Sequence, residues 1–290
     1  MKVLGLSGGA DSVYIFHHLR FMGESFRCIY INHKMNAHDD GAEQFCRTLC
    51  ASYNVPLKVI DINKPLKNET EAREARYAAF VEDVKDDVLV LGHHMGDVVE
   101  TMLMNLCKGT SLNGMSGIAS EGTLFGMKFE RPLIQRSISR TGIQRELTAN
   151  KFSWYEDDTN KDQSILRNRV RHELIPLLED MFPGCSQRIT DFSDDCKFAN
   201  EVVQEHVCKA INTKLHVLKH NLGKRELRFW FFDWMRSNNI VVSKRHFREF
   251  ESFVDNDQYV TMYLPQDFLF VKAYDLTSGF KVVKLVRNVK

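Results

Sequence analysis

No stretch of this 290-residue chain approaches the ~18 uncharged apolar residues that a membrane helix needs. Its apolar runs, such as Val88–Leu91 and Phe229–Phe232, are short and flanked by charge, so no membrane partner is expected. The opening residues, MKVLGLSGGADS, place Asp11 too early for the apolar region of a secretory signal. Excess charge is lacking as well, with 39 Lys and Arg against 38 Asp and Glu. Hydrophobic residues at 43% and charged residues at 27% are ordinary globular proportions and exclude disorder. Cysteine pairing is also missing. Seven cysteines are scattered without a CxxC, and Cys46 and Cys50 would share a helical face as buried small hydrophobes. No second close pair of Cys or His completes a zinc set. The expected compartment is reducing, hence cytoplasmic.

What is present is a regular alternation over the first hundred residues. Val3–Leu6, Cys28–Ile31, Leu57–Ile62 and Val88–Leu91 read as strands, and Ser12–Met22, Ala42–Tyr53 and Glu69–Val84 as helices between them. Near-continuous apolar strands separated by helices predict an α/β fold, a parallel sheet covered on both faces. Ligands of such sheets bind at the carboxyl ends of the strands, here just after Leu6, Ile31 and Leu91. Gly109–Gly126, with five glycines, reads as a loop region. After Pro183–Gly184 the pattern changes: Asp191–Ala210 and a segment from Gly223 to Met235 read as helices, and Tyr259–Leu264 and Phe268–Tyr274 as short alternating runs. The expected organisation is a larger α/β domain over 1–183 and a smaller α+β domain over 184–290.

Ser7-Gly8-Gly9-Ala10-Asp11-Ser12 joins the first strand to the first helix. Gly8 and Gly9 let the backbone approach an anion, and the helix start adds its dipole, so phosphate is well held there. No Gly-Lys-Ser/Thr follows, which excludes a Walker A loop. Asp11 inside a phosphate cradle calls for a bridging cation, which suggests Mg²⁺. The bland alternative is a glycine turn with an Asp N-cap. A second constellation, Gly92-His93-His94-Met95-Gly96-Asp97-Val98-Val99-Glu100-Thr101, follows the fourth strand. On a helix Asp97 and Glu100 share a face and can hold Mg²⁺ through oxygen, or simply favour the helix dipole. In Glu69-Thr70-Glu71-Ala72-Arg73-Glu74-Ala75-Arg76-Tyr77, Arg73 and Arg76 share a face, with a salt-bridged solvated helix as the plain reading.

Ser7–Ser12 resembles the PP-loop of the N-type ATP pyrophosphatases, which implies a Rossmann-like domain that cleaves ATP to AMP and pyrophosphate. Asn68–Phe80, NETEAREARYAAF, is similar to a segment of the tRNA(Ile)-lysidine synthetases, and GHHMGDVVET resembles their HHxxDxxET motif. Arg131-Pro132-Leu133, then Trp154-Tyr155-Glu156-Asp157-Asp158-Thr159-Asn160, then Arg167-Asn168-Arg169-Val170-Arg171 match three further motifs in order. Beyond about Pro183 the resemblance fades. Of the family's second-strand motif, Asn32-His33-Lys34-Met35 keeps only His33, and Gly96 stands where an acidic residue is common.

The resemblance implies ATP-dependent joining of free L-lysine to the wobble cytidine of tRNA(Ile) with a CAU anticodon. It implies ATP contacts by Ser7, Gly8, Gly9, Ala10, Asp11, Ser12 and His33, and Mg²⁺ held by Asp11 and Asp97. Asp11, Asp97, Glu100 and Arg167 would be catalytic, while Arg73, Arg76, Arg131, Asn168 and Arg171 would meet substrate or tRNA. Charge supports a polyanion partner: Lys128–Lys151 carries net +4, and Lys214–Arg248, including Lys214 and Lys219, carries net +7. The aromatics from Phe229 to Trp234 are expected in a core. A tRNA thiolase would share the ATP chemistry, but the missing CxxC argues against it, and intact SGGADS argues against a non-catalytic tRNA binder.

Overall fold

The computed structural model describes residues 1–33, 37–62, 69–156, 162–210, 223–238, 240–256, 258–259, 261–275 and 280–287. Lys34, Met35, Asn68, Asp157–Asn160, Lys214, Lys219 and the side chain of Glu69, all singled out above, lie outside the described residues.

The main sheet runs β3 (Leu57–Asp61), β2 (Phe26–Asn32), β1 (Lys2–Gly5), β4 (Val88–Val90), β6 (Met127–Glu130), β5 (Glu121–Leu124). All neighbours are parallel except β5 on β6, and Leu4 sits between Cys28 and Val90 in register. Successive side chains of β1 go to opposite faces. Leu4 joins Cys28, Val90 and the helices α1 (Ala10–Phe21), α2 (Ala37–Ser52) and α7 (Arg140–Ala149) in one core. Val3 joins Ile29, Leu89 and, from α3 (Glu69–Val84), Tyr77 and Phe80 in the other. Two buried faces are why these strands read as unbroken apolar runs. The remaining elements of this part are α4 (Met95–Lys108), α5 (Leu112–Met115), α6 (Pro132–Gln135), α8 (Leu166–Arg169), α9 (Ile175–Met181) and α10 (Cys185–Ala210).

The glycine-rich stretch is not all loop. It contains α5 and the edge strand β5, which turns into β6 through Phe125 and Gly126, both at positive φ. Glu121–Leu124 is mostly exposed and has one aliphatic residue, so it carries no strand signal.

Two compact units divide the chain, Met1–Lys197 and Phe198–Lys290. The division falls within α10, and Ser193 of that helix packs beside Gly117 in the first unit. In the second unit, helices Lys224–Ser237 and Lys244–Asp255 accompany the antiparallel sheet β7 (Thr261–Tyr263), β8 (Phe268–Asp275), β9 (Phe280–Arg287). Its core is aromatic: Trp230, Phe231, Phe247, Phe250, Phe253 and Phe270 are all buried.

His17 of α1 stacks on Phe152 at 3.5 Å, and burial holds its pKa down to about 4. An unfolded chain takes that proton near pH 6.5, so stability complete above pH 6.5 should be lost as pH falls toward about 4. Thermal unfolding at about pH 7.5 and about pH 4.5 measures the loss, and His17→Phe should reduce it.

Candidate active site

In this strand order the chain leaves β1 to one side for β2 and crosses to the other for β4, which opens a crevice between the two loops at the carboxyl edge. The loops touch. A side chain on Gly92 would lie 3.3 Å from the Ser12 nitrogen and 3.5 Å from the Asp11 Cβ. Gly8 has φ +83°, and the space a Cβ would take is closed at 3.4 Å by Cys46, Phe45 and Tyr155. Glycine is therefore required there twice over. The Ser12 hydroxyl donates to the Gly9 carbonyl at 3.0 Å and accepts from the Ser7 N–H at 3.1 Å, folding the loop over the helix start. Tyr155 donates its backbone N–H to the Gly8 carbonyl at 2.9 Å, and its hydroxyl fills the space beside Gly41. The motif around Trp154 thus braces the glycine loop from behind.

α1 opens at Gly9 without a side-chain cap, so Asp11 is not an N-cap but part of the first turn. Its Oδ1 is buried without a hydrogen-bond partner among the described residues. Burial pushes the Asp11 carboxyl up, against the pull of His94 and Arg140. An orphaned, buried carboxylate oxygen beside a glycine loop and an uncapped helix start fits a hard cation bridged to phosphate. Among the described residues no three His, Cys, Asp or Glu gather into a self-sufficient metal set, so phosphate oxygens would have to complete the shell.

Asp97 and Glu100 are both engaged by protein partners. His94 caps α4: its Nδ1 accepts from Gly96 N–H at 2.9 Å, while Asp97 Oδ2 accepts from His94 N–H at 2.9 Å. A side chain at Gly96 would meet the His94 ring at 2.6 Å, so His94 in this position packs against a glycine. Asp97 Oδ1 faces Arg167 at 3.4 Å and Arg171 at 3.2 Å. Burial raises the Asp97 carboxyl, but His94, His93 and Arg167 outweigh it, and the net shift is downward. Glu100, 1% exposed, takes Arg167 Nε at 2.7 Å on one oxygen and Arg171 Nε at 2.5 Å on the other. Both of its oxygens are occupied by guanidinium, so Glu100 anchors the two arginines. Arg171 lies on a π-helical turn, Val170–Leu174, continuing α8, and reaches the same two carboxylates as Arg167.

Arg73 and Arg76 are exposed on α3; Arg73 lies 5.4 Å from the Tyr77 ring, and Arg76 comes 3.3 Å from His33 at the end of β2. Two of the residues expected to meet substrate or tRNA, Arg131 and Asn168, are buried. Arg131 is 4% exposed, bonded to His93 and the Ala119 carbonyl, so it is an internal strut. Asn168 is buried with its amide on the Asp162 carbonyl at 2.9 Å and holds that loop instead. Sequence reasoning missed His94, Tyr155 and Arg140 as parts of the site. The His93–His94 pair ahead of a helix was the available signal.

The sequence model of the PP-loop domain matches residues 2–178. The chain is similar to tRNA(Ile)-lysidine synthase of Haemophilus ducreyi, 32% identical over 206 residues, covering 70% of this chain and 48% of that protein. Against the Lactococcus lactis protein of the same name the identity is 30% over 284 residues, 94% of this chain and 65% of that one. The likeness therefore continues beyond Pro183. This chain spans about half the length of the Haemophilus and Actinobacillus relatives it matches. Among solved structures, the U34-tRNA thiolase NcsA from Methanococcus maripaludis shares the fold, with a TM-score of 0.57 at 16% identity over 67% of this chain and 70% of that one.

Proposed function

This chain belongs to the PP-loop domain family, and we propose that it joins lysine to the wobble cytidine of tRNA(Ile) bearing CAU, with ATP cleaved to AMP and pyrophosphate. The observation that carries this reading is the unpartnered Asp11 oxygen beside a glycine loop whose helix opens uncapped. In the first step O2 of the cytidine attacks the α-phosphate and pyrophosphate leaves. In the second, the lysine amine attacks C2 and AMP leaves.

Ser7–Ser12 would cradle the phosphates with backbone N–H groups and the start of α1. Asp11, with Asp97 near it, would hold Mg²⁺, which when bound neutralises phosphate charge. Arg167 and Arg171, held by Glu100, would face charge that builds at the phosphoryl group. Their carboxylate partners, Asp97 and Glu100, would hold both guanidinium groups in place as phosphate enters. Arg73, Arg76 and His33 would line the approach.

The second unit supplies a surface for the tRNA. Arg225, Arg228, Lys244 and Arg248 are exposed, on two adjacent helices. Replacing these four by Gln should weaken tRNA binding and flatten its log–log salt dependence by ~0.7–0.9 for each phosphate left without its cationic side chain. Equal affinity and slope in wild type and variant would shift the grip to the basic stretch Lys128–Lys151. Pyrophosphate release that requires unmodified tRNA(Ile), with AMP release that requires lysine as well, tests the reaction itself; pyrophosphate release without tRNA would point to a different acceptor.

A further inference from the structure

Arg131 follows β6 directly and precedes α6, yet its side chain is turned inward. Its Nε lies 3.1 Å from His93 Nδ1, a second guanidinium nitrogen meets the Ala119 carbonyl, and the group sits 4.3 Å over the Phe129 ring. A guanidinium keeps its N–H protons at any pH a folded protein meets and has no acceptor. Arg131 therefore donates, and His93 Nδ1 must offer a lone pair. An imidazole in that state carries its single proton on Nε2, and a second proton would destroy the Arg131 bond. The surroundings agree: burial holds His93 down to about 4, against Asp97 and with help from the cations Arg131, Arg73 and Arg167. The ring stands at the carboxyl end of β4, on the loop that meets the Ser7–Ser12 segment.

We propose that Arg131 is a positioning residue that locks His93 as the neutral Nε2–H tautomer, making His93 a hydrogen-bond donor to oxygens that gain negative charge in the crevice and excluding it as a proton acceptor. This rests on the reading of the crevice as the ATP site. A neutral donor stabilises an oxyanion without proton transfer. It also accounts for a buried arginine in a motif that could otherwise be assigned to tRNA contact.

Nitrogen-15 NMR of the full chain, with the His93 signals identified by their loss in His93→Gln, reads the tautomer directly. At neutral pH the expected spectrum has an unprotonated Nδ1 and a protonated Nε2. A protonated Nδ1, in either the other tautomer or the imidazolium, would overturn the proposal without any variant at Arg131. Arg131→Met should bring the Nδ1–H form into the spectrum, and an unchanged tautomer there would remove Arg131 from the account. Gln can place an amide N–H where Nε2–H stood and Leu cannot. His93→Gln should therefore keep at least about ten-fold more pyrophosphate release than His93→Leu. Equal loss in the two would overturn the donor role. Should wild type release no pyrophosphate, the ATP reading fails, and the nitrogen spectrum still decides the tautomer.

Discussion

Asp11→Asn should lower pyrophosphate release from ATP on the order of a hundred-fold or more, while the folded protein becomes harder to unfold. The two effects have one cause. Asp11 carries a buried oxygen with no partner among the described residues, and burial raises its pKa above the usual carboxylate value. A group with a raised folded pKa contributes stability in full below its unfolded pKa of 3.8, and that contribution is lost as pH rises through the folded value. At neutral pH the ionised carboxylate is therefore a net cost to the empty protein. Asn removes the charge and the cost, and with them the ligand for a cation on the phosphates. Thermal unfolding and pyrophosphate release, measured on the same preparation near neutral pH, check both halves. An Asn variant that turns over normally, or that is less stable than wild type, contradicts this account of Asp11.

Glu100→Ala should be the most destabilising single change in the site. Glu100 is the fully buried member of a quartet with Asp97, Arg167 and Arg171, and it contacts both guanidinium groups. Its removal leaves two arginines sharing one carboxylate that is already engaged in capping α4. Breaking a buried ion pair from one side typically costs roughly 3–5 kcal/mol. Urea unfolding should show a lowered midpoint and an unfolding free energy smaller by about that amount. Replacing Glu100 and Arg171 together by Met should cost less than the sum of the two single changes, because the stranded charge is gone. Additive losses would mean the quartet does not act as a unit. If Glu100 instead served mainly as a metal ligand, its loss would abolish turnover and leave the urea midpoint unmoved.

The fold was legible wherever one local pattern decided it. Glu69–Val84 has the same limits in sequence and in structure, since its helix formers run unbroken and no proline intervenes. The glycine loop was legible too, because the demand for glycine at position 8 is made by its own backbone angle. What could not be read was anything settled by distant partners. Asp97 and Glu100 look like a free acidic pair on one helical face, and the arginines that claim them come from about seventy residues downstream. Arg131 and Asn168 look like surface polar residues, and only packing reveals that both are inside. The edge strand β5 escaped because its pairing with β6, and not its composition, makes it a strand.

The central claim is that lysine is joined to tRNA at the expense of ATP. Incubation of the protein with ATP, radiolabelled lysine and unmodified tRNA(Ile) bearing CAU tests it directly, with label in the tRNA as the readout. The account predicts stable, ATP-dependent incorporation that is lost when the wobble cytidine is replaced by uridine and in Asp11→Asn. Pyrophosphate release with no label in the tRNA, or labelling indifferent to the wobble base, would contradict it.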